Sequence, residues 1–315
     1  QKGLAYSIQS FLCNAGSLVG FLFPFIFTWI GISNIAPQGV VPDSVIYSFY
    51  IGAAILILCV IYTTVKVKEM PPAEYAEYHG ITEEEEKEKI NMVKLLIKAP
   101  KAFWTVGLVQ FFCWFAFMFM WTYTNGSVAA NVFDAPTVET AVNGVSKVML
   151  DTKSIQYQDA ADWVGVLFAV QAIGSVLWAV CIPLFKDRKL IYSLSLVLGG
   201  LGFISTYFVH NQYVLFISFL LIGCAWAAML ALPFTILTNA LSGGHMGTYL
   251  GLFNGTICIP QIVAASLGGS ILALFTPKGM LPPEINMLVM AGVMLIIGAV
   301  CVYLIKETKG EQTKA

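Results

Sequence analysis

Long apolar runs separated by short polar segments dominate this chain. No charged residue occurs in the thirty-two positions between Lys101 and Asp134, and a run of the same length separates His245 from Lys278. A helix needs about twenty mostly apolar residues to cross the hydrocarbon core of a bilayer. The pattern therefore predicts an all-α, polytopic membrane protein with eight transmembrane helices. The predicted helices are residues 4–30, 44–65, 102–125, 163–185, 190–209, 213–240, 247–274 and 285–305.

Composition supports a membrane location and excludes several classes of protein. Of the 315 residues, 58% are hydrophobic and 11% are charged, whereas about 25% are charged in ordinary soluble domains. The charges form no basic stripe that would bind nucleic acid. The seven cysteines lie within apolar runs and form no C-x-x-C pair, so we expect packing roles for them and no metal site or disulfide framework.

Lysine and arginine predict the orientation of the helices. With the N-terminus in the cytoplasm, fourteen of the 17 Lys and Arg residues fall in inside segments, and only Lys147, Lys153 and Lys278 fall outside. Basic residues concentrate on the cytoplasmic side of membrane proteins. We therefore predict an integral protein of the plasma membrane, or of the inner membrane in a bacterium, with both termini in the cytoplasm.

A long charged segment, residues 66–101, separates the first two predicted helices from the last six. Within it, Thr82 and Glu85 fit a capping box, and the apolar residues from Ile90 to Ile97 share one helical face. These features predict a short amphipathic helix that lies along the membrane surface and ends at Pro100.

Two helices, a charged loop and six further helices match the later part of a major facilitator transporter, in which such a loop joins two six-helix halves. On this plan we expect four more helices of the same protein to precede the chain and to be its partners. The predicted domains are residues 1–65, the last two helices of the N-terminal half; 66–101, the linker; 102–305, the complete C-terminal six-helix bundle; and 306–315, a cytoplasmic tail.

Polar and indole side chains collect on single faces of three predicted helices. At 100° per residue, Gln110, Trp114, Trp121 and Asn125 fall within about 60° of one another on the third helix, and Tyr123 is close to them in sequence. Such a stripe predicts a face that lines a cavity.

The fourth and seventh predicted helices carry similar faces. Gln171, Ser175 and Trp178 share one face of the fourth helix, and Asn254 and Gln261, seven residues apart, share one face of the seventh. The nine candidate substrate-binding residues are Gln110, Trp114, Trp121, Tyr123, Asn125, Gln171, Trp178, Asn254 and Gln261.

Uncharged amides next to indole rings favour a sugar as the ligand. Amides hydrogen-bond hydroxyl groups in both directions, and aromatic rings stack on the apolar C–H face of a sugar. A carboxylate or phosphate substrate would call for Arg or Lys within the spans, and the predicted spans contain neither. The alternative interpretation is structural, because amides also bond neighbouring helices and tryptophans also mark the membrane interface.

The residues of four predicted helices resemble one transporter family. Tyr249–Ile262, in which Asn254 precedes Pro260-Gln261, resembles the eleventh helix of sucrose/proton symporters and their bacterial relatives. Trp114–Thr124 resembles the seventh helix of those proteins, Ala231–Ile236 the tenth, and Ala5–Ser10 the fifth. The chain thus resembles the glycoside–pentoside–hexuronide cation symporters, and within them the sucrose/maltose branch.

This resemblance implies a secondary active transporter that takes up a disaccharide or another glycoside together with a proton by alternating access. It implies no cofactor other than the coupling ion. A proton carrier inside the membrane should be an ionisable residue. Because the predicted spans contain no Asp, Glu, Lys or Arg, we expect the coupling residue on the four preceding helices.

Other functions compete with this interpretation. A different major facilitator, such as an exporter of apolar drugs, would share the fold but would need fewer aligned amides. A non-transporting sugar sensor would keep the same site. A membrane-embedded enzyme would need paired intramembrane aspartates or a G-x-S-G motif with a histidine in a span. The sequence has neither, so we expect no enzymatic activity.

Overall fold

Ten helices and one β-hairpin make up the described part of the chain. The computed structural model describes residues 2–32, 41–68, 70–71, 74, 77–78, 92–142, 145–241 and 246–305. The helices are α1 (Lys2–Trp29), α2 (Asp43–Lys66), α3 (Met92–Ile97), α4 (Lys101–Asn131), α5 (Ile155–Cys181), α6 (Arg188–Ser205), α7 (Leu215–Ala240), α8 (Met246–Phe253), α9 (Gly255–Phe275) and α10 (Ile285–Cys301). The strands are β1 (Thr137–Val142) and β2 (Val145–Leu150), and short 3-10 turns extend α5 over Ile182–Leu184 and α10 over Val302–Leu304.

The predicted all-α, polytopic class is confirmed. Within the described residues, seven segments are long and apolar enough to cross a membrane, and one of them, Met246–Phe275, joins α8 and α9. The long helix α1 adds a shorter apolar stretch, Ile8–Phe23. Each of the eight predicted helices has a counterpart in the structure, and most ends agree within a few residues.

The helices α4 and α5 are longer than the predicted spans 102–125 and 163–185. Near the end of α4, the Ser127 hydroxyl donates to the Tyr123 carbonyl and the Asn131 amide donates to the Ser127 carbonyl, so the polar side chains of this last part are satisfied within the helix. At the start of α5, Ser154 caps the helix by accepting a 3.2 Å hydrogen bond from the Tyr157 N–H. Capping lets α5 begin eight residues before its predicted start.

An antiparallel hairpin lies between α4 and α5, where the sequence predicts only an external loop. Thr137 pairs with Leu150 and Val142 pairs with Val145. The hydrophobic pattern is dominated here by the long spans on either side, so two six-residue strands leave little signal. Asp134, just before the hairpin, has a positive φ of 49°, which marks the sharp turn out of α4.

Close backbone contacts hold the last six spans together. A Cβ atom added at Gly174 of α5 would overlap the backbone of Leu220 on α7, and one added at Gly223 of α7 would overlap the backbone of α5 from Gln171 to Ser175. Gly200 of α6 and Gly292 of α10 approach each other in the same way. Small residues let membrane helices pack backbone to backbone, which compensates for the weak hydrophobic effect between helices in lipid.

The first helix packs on this bundle against α5 and α7. Tyr6 stacks on Phe234 with ring centroids 6.0 Å apart, and Phe21 lies 5.8 Å from Phe168. The Ser10 hydroxyl donates to the Ala227 carbonyl at 3.4 Å. The helix α2 buries only Ser44, so most of its surface is open.

The predicted amphipathic helix of the linker is described only in part. Thr82 and Glu85 lie outside the described residues, and the described turn is α3. The Tyr249 hydroxyl of α8 donates to the Leu95 carbonyl of α3 at 3.3 Å. The linker is therefore fastened to the start of the α8–α9 span.

Candidate substrate site

The predicted stripe on α4 faces α7, and its first member has a structural partner there. Gln110 is fully buried, and its Nε2 donates to the Met229 carbonyl at 3.2 Å. Pro233, four residues after Met229, has no N–H to donate to that carbonyl in the α7 ladder. Gln110 thus replaces the hydrogen bond that the proline removes, while its own buried Oε1 has no partner in the part of the chain that the structure describes.

An indole cluster occupies the next turns of the stripe. We use this name for Trp114 and Trp121 of α4 with Trp226 of α7. The ring centroids of Trp226 lie 5.7 Å from those of both other indoles, and Trp114 and Trp121 are 6.4 Å apart. The ring of Phe117 packs against Trp226, with the two ring centroids 4.8 Å apart. Three indoles on two helices therefore form one aromatic surface.

This surface is partly open, and two buried polar atoms beside it lack hydrogen-bond partners. Trp121 is 43% exposed, whereas Trp114 is partly buried, and its buried Nε1–H has no partner among the described residues. Asn125, one turn beyond Trp121, has a buried Oδ1 that also lacks a partner among the described residues. Unpaired polar atoms in a low-dielectric interior are costly. A ligand or water that reached these atoms through a shift of the surrounding side chains would relieve that cost.

Sequence reasoning did not single out Trp226, although it completes the cluster. The single indole in the middle of this strongly apolar span is the signal that could have identified it. Its position opposite α4 depends on how the two helices pack, which periodicity within one helix does not reveal.

Tyr123 lies on another side of α4 from the indole cluster. Its ring meets Phe119 edge-on at 5.4 Å, and its hydroxyl occupies the space that a Cβ at Gly268 of α9 would need. The structure therefore groups Tyr123 with the α4–α9 interface rather than with Trp114 and Trp121.

The face predicted on α5 is buried within the bundle. Gln171 and Ser175 are both buried, and the Ser175 hydroxyl has no partner among the described residues. Trp178 donates its Nε1–H to the Ser195 hydroxyl of α6 at 2.8 Å. The polar group of Trp178 is therefore already used in holding α5 to α6.

The two amides predicted on the seventh span lie apart from the indoles. Asn254 is exposed at the irregular junction between α8 and α9. Gln261 is half-buried, and its Nε2 donates to the Ile257 carbonyl of its own helix at 3.1 Å. In the described part of the chain, neither side chain is hydrogen-bonded to the indole cluster.

One carboxyl group packs on α4 away from the indole cluster. It belongs to Glu284, the residue before α10, and lies against Gly126. Burial raises the pKa of Glu284 from 4.5 to about 7. In the ranges that the structure describes, no group of three or more His, Cys, Asp or Glu side chains could hold a metal ion.

Comparison with known proteins identifies the family. Residues 128–315 match the family model of the Major Facilitator Superfamily, and this match covers more than half of the chain. A search of curated proteins finds no match. The matched region begins in the last turn of α4 and includes all the later spans described above. The chain is thus an integral membrane protein that belongs to the Major Facilitator Superfamily, a family of transporters.

Proposed function

We propose that this protein is a proton-coupled sugar symporter that binds a disaccharide or another glycoside at the indole cluster. The observation that carries the proposal is the aromatic surface of Trp114, Trp121 and Trp226, of which Trp121 is exposed, beside buried polar atoms that lack partners among the described residues. A sugar offers an apolar C–H face for an indole and hydroxyl groups for the polar atoms. The resemblance to the glycoside–pentoside–hexuronide symporters supports the same class of substrate.

Each residue has a distinct role in this proposal. The exposed ring of Trp121 stacks on the sugar, and Trp226 holds that ring in place edge-on. The Nε1–H of Trp114 donates to a hydroxyl, and the Oδ1 of Asn125 accepts from another. The amide of Gln110 is already bonded to the Met229 carbonyl, so Gln110 anchors α4 to α7 beside the site.

An exporter of apolar drugs is less well supported by this geometry. A purely apolar ligand would leave the Trp114 N–H and the Asn125 carbonyl oxygen without partners in the bound state. Sites that hydrogen-bond a substrate discriminate strongly against analogues lacking the polar group. The Trp114 N–H and the Asn125 carbonyl oxygen therefore favour a hydroxyl-rich substrate.

Transport would follow the plan of the superfamily. In such transporters the two halves rock around a site near the middle of the membrane. On this plan residues 1–65 end the N-terminal half, residues 66–101 link the halves and residues 102–305 form the C-terminal half. The Lys and Arg distribution supports a plasma-membrane protein with the linker on the cytoplasmic side.

The test is sugar binding by the full-length transporter in lipid vesicles, measured by isothermal titration with sucrose and maltose. We expect Trp121→Ala and Trp226→Ala each to weaken binding about tenfold or more, which corresponds to about 1.4 kcal/mol. Trp104→Ala is the matched control, because Trp104 is an exposed indole on the first turn of the same helix.

The outcomes separate the competing functions. Equal loss of binding in all three variants, or none in any, would show that the indole cluster is packing. Binding of apolar drugs without binding of sugars would favour an exporter. Sugar binding without uptake of labelled sugar into the vesicles would favour a sensor.

A further inference from the structure

One half-buried carboxyl group in the described part of the chain packs against the bundle without taking part in the indole cluster. Glu284 immediately precedes α10, and its backbone N–H donates to the Pro282 carbonyl while its own carbonyl accepts from the Met287 N–H, both at 2.9 Å. These bonds and the two preceding prolines fix the backbone as α10 begins. The side chain is thereby directed from a rigid position.

The side chain is received by a cradle on α4. A Cβ atom added at Gly126 would overlap both carboxyl oxygens of Glu284, so the absence of a side chain at Gly126 is what admits the carboxyl. Tyr123, three residues before Gly126 on α4, is coupled electrostatically to this carboxyl, and its hydroxyl touches α9 at Gly268. The carboxyl therefore joins α10 to α4, and Tyr123 joins α4 to α9.

No formal charge on these spans balances an ionised Glu284. α9 and α10 contain no charged residue, and the only one on α4 is Lys101, at its opposite end. Tyr123 is the titratable side chain of α4 that is coupled electrostatically to the carboxyl. His210, from the connection between α6 and α7, instead lies 3.2 Å from the Asn131 carbonyl. The first charged residues that follow α4 and α9 in sequence are Asp134 and Lys278.

A buried carboxyl without a countercharge favours its neutral form. This burial raises the pKa of Glu284 to about 7. The carboxyl therefore changes its charge in the range where most other carboxyl groups are fully ionised.

We propose that Glu284 is a proton-binding site that fastens the start of α10 to α4 when it is neutral and releases it when it ionises. On ionisation the proton passes to water, and the carboxylate must leave the Gly126 cradle to be hydrated. The site lies at the end of the bundle that the Lys and Arg distribution predicts to be external. It requires neither a sugar substrate nor the proposed symport, so either proposal can fail without the other.

The first test is the pH dependence of thermal unfolding of the full-length transporter in detergent, followed with a thiol-reactive dye that labels the buried Cys113 and Cys224 on unfolding. A carboxyl whose pKa is higher in the folded than in the unfolded state stabilises fully below the unfolded value, and this stabilisation is lost as the pH rises through the folded value. We expect the midpoint temperature of unfolding to fall by a few degrees between about pH 5 and pH 8.

Variants test whether the dependence of the thermal midpoint on pH, called the slope below, comes from the Glu284 carboxyl. Glu284→Gln keeps the shape and remains neutral, so it should remove most of the fall and be the more stable protein at the alkaline end. Glu74→Gln is the matched control, since Glu74 is exposed, and it should leave the slope unchanged. Gly126→Ala should displace the carboxyl and flatten the slope as well.

A direct titration provides a second measurement in case Gly126→Ala fails to fold. The infrared C=O stretch of a protonated carboxylic acid, taken as wild type minus Glu284→Gln, should disappear with a midpoint near pH 7. The proposal is overturned if the Glu284→Gln variant keeps the wild-type slope, or if the difference band disappears near pH 4.5, the ordinary value for glutamate.

Discussion

Gln110 illustrates how a single side chain can stabilise a membrane helix other than its own. Its amide bonds the carbonyl that Pro233 leaves without a donor in α7. Proline is tolerated in transmembrane helices when a neighbour satisfies the freed carbonyl. The proline and the glutamine therefore depend on each other structurally, although they are far apart in the sequence.

This pairing predicts a rescue. Gln110→Ala should lower the free energy of unfolding by about 1–2 kcal/mol, because a buried carbonyl loses its donor. Pro233→Ala should remove that penalty, since alanine restores the backbone N–H. The measurement is a double-mutant cycle of thermal midpoints in detergent. Additive effects of the two substitutions would show that the pair is not coupled.

At the scale of elements, glycines set how closely the spans approach. The α5–α7 crossing depends on Gly174 and Gly223, each of which faces backbone atoms of the other helix. Trp226 follows Gly223 by one turn of α7. The position of the indole cluster against α4 therefore depends on the depth of this crossing.

A methyl group at this crossing should separate the two helices. We expect Gly223→Ala to cost about 1–3 kcal/mol of stability through overpacking and to weaken sugar binding by displacing Trp226. Gly165→Ala is the control on α5, because nothing lies within 4 Å of a Cβ at that position. Thermal midpoints and sugar affinities of the two variants, compared with wild type, provide the check; equal values for both would contradict the prediction.

At the scale of the whole molecule, the two ends of the bundle can be assigned to the two sides of the membrane. A cysteine at Thr152, an exposed position between the hairpin and α5, should react with a membrane-impermeant thiol reagent on intact cells. A cysteine at Lys186, exposed between α5 and α6, should react only after lysis. The reverse pattern would refute the orientation predicted from Lys and Arg.

The spans were predictable because lipid imposes a simple rule on long apolar runs, and no tertiary partner is needed to apply it. The face of α4 that carries Gln110, Trp114 and Trp121 was also predictable, because helical periodicity is local. The partners of that face could not be predicted. Met229 and Trp226 lie on α7, and only the packing of α7 against α4 brings them to that face. Tyr123 illustrates the same limit, since nearness in sequence placed it with the indoles while the structure turns it towards α9.

The hairpin and the buried carboxyl escaped sequence reasoning for a related reason. Glu284 sits just outside an apolar run, where a charged residue normally faces water. Its burial depends on a glycine on another helix, so no window of sequence around Glu284 contains the cause.

The hydrogen bond between Tyr249 and Leu95 has a mechanical consequence. It joins the linker to α8, whereas α9 is held against α4, where Thr256 lies at Gly107. Between these attachments the span is irregular at Asn254. A displacement of the linker is therefore expected to tilt α8 about Asn254 while α9 stays packed on α4.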